Sequence, residues 1–398
     1  MIRQAVFLVG GLGTRLKERT KAVPKPLLEI NGRPFIEWLL DEASRHGFTD
    51  ILLLAGHLGE AVRERYDGRE WRGARIRVLQ EPQPLGTGGA LCFALPHLDE
   101  TFLLANGDSF FDINLRAMAQ PANAVPGGVT MALRSSAPGK RYGWVNAAPD
   151  GLVRSFHAPE EGGGGPINGG IYCISRSIVD AIPQGQAVSL EQAIFPGLAR
   201  QGLIRGVAFD GYFIDIGVPE DFERADRELA QHLRRPALFL DRDGVLNVNH
   251  GYVHTPEKFD WNDGARAAVR ACNDRGMLVF VVTNQAGVAH GYYDEAAIHA
   301  LHDWIREKLA EEGAHVDAFE YCPHHPDGKV EAYRRACRRR KPGPGMIEDL
   351  LARWDVDQAR SLLVGDSESD LAAAKAAGIA GRLFPGGNLA DFVAKALA

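Results

Sequence analysis

Long hydrophobic runs are the first thing this 398-residue chain lacks. No apolar stretch reaches about 18 residues, the length a membrane-spanning helix needs, so no membrane partner is expected. Cysteine is scarce too. Cys92, Cys173, Cys272, Cys322 and Cys337 are odd in number and scattered, which fits reduced cytoplasmic thiols better than a disulfide framework. A long basic run is missing and the net charge is −6, so no nucleic-acid surface is expected. The one basic concentration, Arg334, Arg335, Arg338, Arg339 and Arg340, reads as an anion pocket or a solvated loop. Internal repeats are absent, and low complexity is confined to Gly162 to Gly165, which reads as a mobile loop. The first residues lack a signal-peptide pattern; Gln4 to Val9 reads as a buried strand.

What is present is a globular composition, 45% hydrophobic and 24% charged, on a chain long enough for two domains. Short apolar runs, Ala5 to Val9, Ile51 to Ala55 and Phe102 to Ala105, alternate with helical patterns such as Phe35 to His46 and Gly86 to Leu95. Runs of that length, bounded by glycine or polar turns, read as parallel strands buried on both faces. The alternation restarts at Ala237 to Leu240 and continues at Leu278 to Val282 and Ser361 to Val364. Between the two series lies a helical stretch, Asp221 to Leu233, which Pro236 prevents from continuing. The expectation is α/β, with two doubly wound domains at 1–232 and 236–398. Trp38, Trp261, Trp304 and Trp354 are expected in the core, Cys92, Cys173 and Cys272 as small buried residues, and His46, His299 and His302 as surface or capping residues.

Two phosphate-handling signatures stand out. Gly10, Gly11, Gly13 and Thr14 form a glycine turn after a strand, where backbone N–H groups and a helix N-terminus favour a phosphate chain. Arg15 and Lys25 add cations for charge-assisted contacts. The second signature is Asp241-Arg242-Asp243-Gly244 at a strand end, followed by Thr283-Asn284, Lys341-Pro342 and Gly365-Asp366, each beside a strand or helix. Two aspartates two residues apart at a strand end, followed by a hydroxyl, a lysine and a further acidic turn, read as a site that attacks a phosphate ester.

Over roughly residues 1–230 the chain resembles the sugar-1-phosphate nucleotidyltransferases. The resemblance rests on GGLGTRL with KPLLEINGRP, Pro84 to Ala90, Ala105 to Asp108, Arg141 to Gly143, Ile167 to Gly170, Ser189 to Glu191 and Asp215 to Gly217. It implies a Rossmann-like, GT-A-like fold. Asp108 and Asp215 would hold Mg²⁺, Gly86, Thr87 and Gly88 would lie under the nucleobase, and Asn168 and Glu191 would hold sugar hydroxyls. One departure is plain. The family's Glu-Lys pair is missing from Ser155 to Glu161, and Lys140 and Arg154 are the nearest cations in sequence.

Over about 236–390 the chain resembles the haloacid dehalogenase-like phosphatases. It is closest to the subgroup that includes heptose-bisphosphate and histidinol-phosphate phosphatases and has no large cap, through DRDGVLN, TNQAGVAHG, CPHHPDG and RKPGPGM. The resemblance implies Asp241 as nucleophile, Asp243 as acid and base, and Thr283 with Lys341 on the phosphoryl oxygens. Mg²⁺ would sit on Asp241, Asp366 and the Asp243 carbonyl, Asp370 would support the lysine, and Asn284 with Arg340 would recognise substrate. Cys322, His324 and Cys337 form three parts of the subgroup's zinc loop, and Arg339 stands where the fourth thiolate is expected.

Together the two resemblances imply consecutive steps. A heptose 1,7-bisphosphate loses its 7-phosphate, and the heptose 1-phosphate is then coupled to GTP or another nucleoside triphosphate. Two alternatives stay open: a mannose- or glucose-1-phosphate transferase joined to a histidinol-phosphate-type phosphatase, and a phosphatase joined to a non-catalytic nucleotide- or sugar-binding module. The residues leave a homo-oligomer open.

Overall fold

A computed structural model describes residues 1–11, 14–120, 123–135, 142–158 and 164–397, with the backbone alone at Thr14, Lys17 and Glu18. Leu12, Gly13, Lys140, Arg141 and Pro159 to Gly163 lie outside the described residues. The chain divides into two compact units, Ile2–Gln231 and His232–Ala398.

The first unit is built on an eight-stranded sheet. Its spatial order is Ile204–Phe209, Val129–Arg134, Ile167–Ser175, Thr101–Asn106, Gln4–Leu8, Asp50–Ala55, Ala74–Gln80 and Glu70–Trp71. The apolar runs Gln4–Leu8, Asp50–Ala55 and Thr101–Asn106 lie parallel at its centre. The sheet is mixed, however: Ile167–Ser175 runs antiparallel to both neighbours. The helix Phe35–Arg45 follows Pro34 and is capped at His46, which is buried. The helix Gly86–Ala94 starts where Gly86 turns the chain at a φ of +70°. A short antiparallel pair, Ser109–Phe111 with Phe213–Asp215, sets Asp215 opposite Ser109 and so beside Asp108.

The second unit has a five-stranded, wholly parallel sheet in the order Ala318–Cys322, Leu278–Asn284, Ala237–Leu240, Leu362–Gly365 and Ala380–Leu383. Its central strands alternate between two cores. Leu238, Leu240, Val279, Val281, Leu362 and Val364 pack on one side; Ala237, Phe239, Leu278, Phe280, Val282 and Leu363 pack on the other. That two-residue period, apolar on both faces, explains why each strand is a continuous hydrophobic run. Full burial of each Leu or Phe contributes about 1.5–3 kcal/mol. The chain leaves the central strand in opposite directions across the sheet, so a crevice opens at the carboxyl ends of the strands. Asp241, Thr283 and Asp366 sit at those ends. His302, expected as a surface or capping residue, is instead buried with its ring stacked 4.4 Å from that of Phe319.

Candidate active sites

In the first unit a cleft of about 360 Å³ opens beyond the strand Gln4–Leu8. Of the residues singled out in sequence, Gly10, Gly11, Lys25, Gly86, Thr87, Asp108 and Glu191 line it. The Lys25 ammonium is nearly buried; it donates to Asp108 Oδ2 at 2.6 Å and lies 3.7 Å from Asp215 Oδ1. Two carboxylates from distant parts of the chain thus share one cation. Gly217 N–H donates to Asp215 Oδ1 at 2.8 Å and fixes that side chain. Glu191 is held through Oε2, which accepts from Thr87 Oγ1 and Ser189 Oγ, each at 3.0 Å. Gly88 serves a backbone role, donating its N–H to Val188 O at 2.8 Å.

Two residues expected in this site, Asn168 and Arg15, are not among those that line the cleft. Asn168 donates to Tyr172 Oη at 2.8 Å and accepts from Gly170 N–H at 3.0 Å, so its amide is engaged inside its own strand. Arg15 is exposed and does not line the cleft. A third residue was missed by sequence reading. Glu81 lines the cleft, accepts from Leu85 N–H through Oε2 at 3.2 Å, and is pushed above its ordinary pKa by burial. Its carboxylate lies hard against two backbones. A Cβ on Gly56 would sit 2.4 Å from Glu81 Oε1, and one on Gly10 would sit 3.2 Å away, so glycine at both positions makes the room.

The second unit gathers its charges more tightly. Lys341 is buried and bridges Asp241 Oδ1 at 2.8 Å and Asp370 Oδ1 at 2.6 Å, and it donates to Val282 O at 2.8 Å. Burial works against the lysine's charge, but the two aspartates outweigh it and raise its pKa. Burial pushes the Asp241 carboxyl up to about 7, while Lys341 pulls the other way. Asp366 is also raised, by burial and by Asp370. Carboxyl oxygens of Asp241, Asp366 and Asp370 lie within 4.8 Å of one another, a hard-oxygen set that suits a divalent cation. Gly244, at a φ of +95°, is what lets Asp366 approach, because a Cβ there would stand 1.9 Å from Asp366 Oδ2.

Asp243 is held by a cradle of donors that the sequence reading did not identify. Arg242 Nη2 donates to its Oδ2 at 2.8 Å, Asn247 Nδ2 to its Oδ1 at 3.0 Å, and Gln285 Nε2 to its Oδ2 at 2.9 Å. Gln285 also donates to Thr283 Oγ1 at 2.9 Å, which links the Asp243 carboxylate to the Thr283 hydroxyl. Asn284, expected on the substrate, is anchored to the chain that carries Lys341. Its amide donates to Lys341 O and accepts from Lys341 N–H, both at 3.0 Å, and so holds the backbone of the lysine. Arg340 is half-buried beside Lys341 and donates to His324 O at 3.4 Å.

The ligand atoms of Cys322, His324 and Cys337 also lie within 4.8 Å of one another. Three donors do not complete the closed tetrahedral set of a structural zinc centre. Arg339 is drawn away to Glu320, which also binds Arg353, and it lies 3.6 Å from Asp349. Arg338 meanwhile pairs with Glu348 and Asp349. An ionic clamp therefore holds this loop where the resemblance implies a fourth thiolate. Among the described residues, Cys322, His324 and Cys337 do not make up a closed zinc site.

Comparison with known proteins matches residues 4–232 to the nucleotidyl transferase family and residues 338–392 to a HAD-hydrolase-like family. The D-glycero-beta-D-manno-heptose-1,7-bisphosphate 7-phosphatase of Rhodopseudomonas palustris is 52% identical over 164 residues, 41% of this chain and 91% of the relative. The D-glycero-alpha-D-manno-heptose 1-phosphate guanylyltransferase of Campylobacter jejuni is 36% identical over 219 residues, 55% of this chain and 96% of the relative. Among solved structures, HddC from Yersinia pseudotuberculosis aligns over 57% of this chain and 100% of its own, with a TM-score of 0.52 and 28% identity. The chain belongs to the nucleotidyl transferase family, and the same polypeptide carries a HAD-like phosphatase.

Proposed function

We propose that this chain is a bifunctional enzyme of GDP-heptose synthesis. Its second unit removes the 7-phosphate of D-glycero-D-manno-heptose 1,7-bisphosphate, and its first unit couples the heptose 1-phosphate to GTP with release of pyrophosphate. One observation carries the reading: two relatives, covered over 91% and 96% of their lengths, are named for phosphates of the same seven-carbon sugar. The geometry supports both chemistries, and both families are typically magnesium-dependent.

In the phosphatase, Asp241 attacks the phosphorus and forms an aspartyl-phosphate as the leaving sugar oxygen takes a proton from Asp243. Lys341 and Thr283 hold the phosphoryl oxygens. Asp243 then takes a proton from water, which hydrolyses the acyl phosphate. Asp241, Asp366 and the Asp243 carbonyl would hold Mg²⁺, which when bound neutralises the repulsion between two anions. In the transferase, the sugar phosphate attacks the α-phosphorus of the nucleotide. The Gly10-Gly11 turn binds the triphosphate, Lys25 offsets its charge, and Glu191 holds the sugar. Asp108 and Asp215 would hold Mg²⁺ there.

The two relatives are named for different anomers, beta for the phosphatase and alpha for the guanylyltransferase. Hydrolysis at C7 leaves C1 untouched, so consecutive steps in one chain require the alpha anomer at both. The full chain incubated with each anomer and each of four nucleoside triphosphates should make a nucleotide sugar from the alpha bisphosphate and GTP, read by mass. Hydrolysis of histidinol phosphate far faster than of heptose bisphosphate would overturn this reading.

Glu81 supplies the base preference. An ionised carboxylate only accepts hydrogen bonds, and the pairing edge of guanine presents two adjacent donors, N1–H and the 2-amino group. Adenine, cytosine and uracil each set an acceptor beside their donor. Glu81→Gln should lower the preference for GTP over the other triphosphates by about 10- to 100-fold in kcat/KM, the scale of one bidentate base contact. An unchanged ratio would remove Glu81 from base recognition.

A further inference from the structure

The loop with three parts of a zinc centre holds two thiols side by side. Cys322 ends the edge strand Ala318–Cys322 and is wholly buried. Cys337 is half-buried on an irregular segment. Their sulfurs lie within 4.8 Å of each other, near enough for the thiols to hydrogen-bond. The ionic clamp is what sets them there. Arg339, just after Cys337, binds Glu320, just before Cys322. Arg353, at the end of the helix Gly345–Arg353, binds the same glutamate, and Arg338 binds Glu348 and Asp349 of that helix. Charge pairs thus hold the segment of Cys337 against the strand of Cys322, and neither thiol is needed to hold the loop. Thiols spared from a structural role are free to react, and the more exposed one reacts first.

We propose that Cys337 and Cys322 are an oxidation site for a hydroperoxide, and that the disulfide they form slows the phosphatase. Cys337 meets the oxidant. Its sulfur attacks a peroxide oxygen: the O–O bond breaks, an S–O bond forms, and the leaving oxygen departs with the thiol proton as water or an alcohol. The sulfur loses two electrons and the hydroperoxide gains them. Cys322 then gives its proton to His324 Nδ1, 3.7 Å from its sulfur, and attacks the sulfenic sulfur. An S–S bond forms, the S–O bond breaks, and the departing hydroxide takes that proton as water. Exchange with an added dithiol reverses the bond.

Both cysteines stand one step behind the reacting groups. Cys322 O accepts from Gln285 N–H at 2.8 Å, and Gln285 holds Asp243. Cys337 O accepts at 3.0 Å from the N–H of Arg340, the residue before Lys341. A disulfide is about 2.05 Å long, so the two sulfurs must draw together. Cys322 is fixed in register opposite Asn284, which leaves the segment of Cys337 to move. Lys341 follows on that segment, and its contacts of 2.6 Å to Asp370 and 2.8 Å to Asp241 tolerate little displacement. A shift of about 1 Å in a positioned group costs on the order of 100-fold in rate.

The test treats the reduced full chain with hydrogen peroxide, blocks the remaining thiols by alkylation and digests it without reductant. Mass spectrometry should find the peptides of Cys322 and Cys337 joined, two hydrogens lighter than their sum. Phosphate release from heptose 1,7-bisphosphate should fall by about 10- to 100-fold in kcat, and dithiothreitol should restore it. The crosslink is read without any substrate, so it stands apart from the reading of the second unit as a heptose-bisphosphate phosphatase. Cys337→Ser should keep the activity of the reduced wild type and lose its sensitivity to peroxide; Cys337→Ala serves where serine disturbs the fold. Cys322→Ser should stop at a sulfenic acid on Cys337, trapped by dimedone. No crosslink, a loss of activity that the Cys337 variants do not prevent, or a crosslink that leaves kcat unchanged overturns the proposal. So does one equivalent of zinc in the purified chain with both thiols unreactive until it is chelated.

Discussion

Asp241→Asn abolishes phosphate release from heptose 1,7-bisphosphate while leaving pyrophosphate release by the other unit in place. The substitution keeps the shape of the side chain and removes the attacking oxyanion, so the covalent route closes. Loss of a nucleophile that works as one unit with its partners costs about 10⁴- to 10⁶-fold in kcat. Lys341 keeps its 2.6 Å pair with Asp370, so the pocket should hold its geometry. The sign of the stability change follows from burial, which pushes Asp241 up to about 7 from an ordinary value of 3.8. A carboxyl with a raised folded pKa binds more protons when folded. Its ionisation therefore lowers stability as pH rises from about 4 through about 7. A neutral asparagine removes that loss, so without divalent cation the variant should melt no lower than wild type at pH 8. Phosphate release and pyrophosphate release measured on one preparation, with thermal melts at pH 5 and pH 8, check all three statements. Phosphatase activity that survives would sink the nucleophile assignment.

How much of this was legible in the sequence depends on the reach of each interaction. Strands such as Ala237–Leu240 and Leu278–Asn284 are readable because burial on both faces leaves a short apolar run between polar turns. The reversed direction of Ile167–Ser175 is not, since a strand's local pattern carries no sign of which way its partners run. The aspartates at strand ends were visible as motifs, but their partners were not. Gln285 looks like one more polar residue after Thr283-Asn284, and only the fold aims its amide at Asp243. Asn284 illustrates the converse: its position beside the pocket suggests substrate, yet both ends of its amide are engaged by the Lys341 backbone. Glu81 was hidden because a glutamate after a strand reads as surface, and the glycines that seat it lie at positions 10 and 56. For Asp243 and Lys341 the motif names the group, while Gln285 and Asn284, which help to fix them, stand 42 and 57 residues away in the chain.

The transferase carries the second large expectation. Asp108→Ala should lower pyrophosphate release from GTP and heptose 1-phosphate by about 10³-fold, the scale of several kcal/mol of lost charge stabilisation. Asp108 is the shorter of the two contacts to Lys25, 2.6 Å against 3.7 Å for Asp215. Removing it strips one candidate metal ligand and leaves a nearly buried ammonium with one distant partner. That ammonium can then turn toward the triphosphate, so KM for GTP should change less than kcat. Asp108→Asn separates the two effects, because it keeps a hydrogen-bond acceptor for Lys25 while losing the charge a divalent cation needs. If the asparagine variant is as impaired as the alanine, charge at this position carries the rate; if it recovers most of the activity, Lys25 positioning does. The missing family lysine near Ser155 to Glu161 makes the wild-type measurement decisive in its own right. A wild type that releases no pyrophosphate from any of the four triphosphates, while its phosphatase is fully active, would turn the first unit into a binding module. Pyrophosphate release that Asp108→Ala leaves intact would move the metal site elsewhere in the cleft.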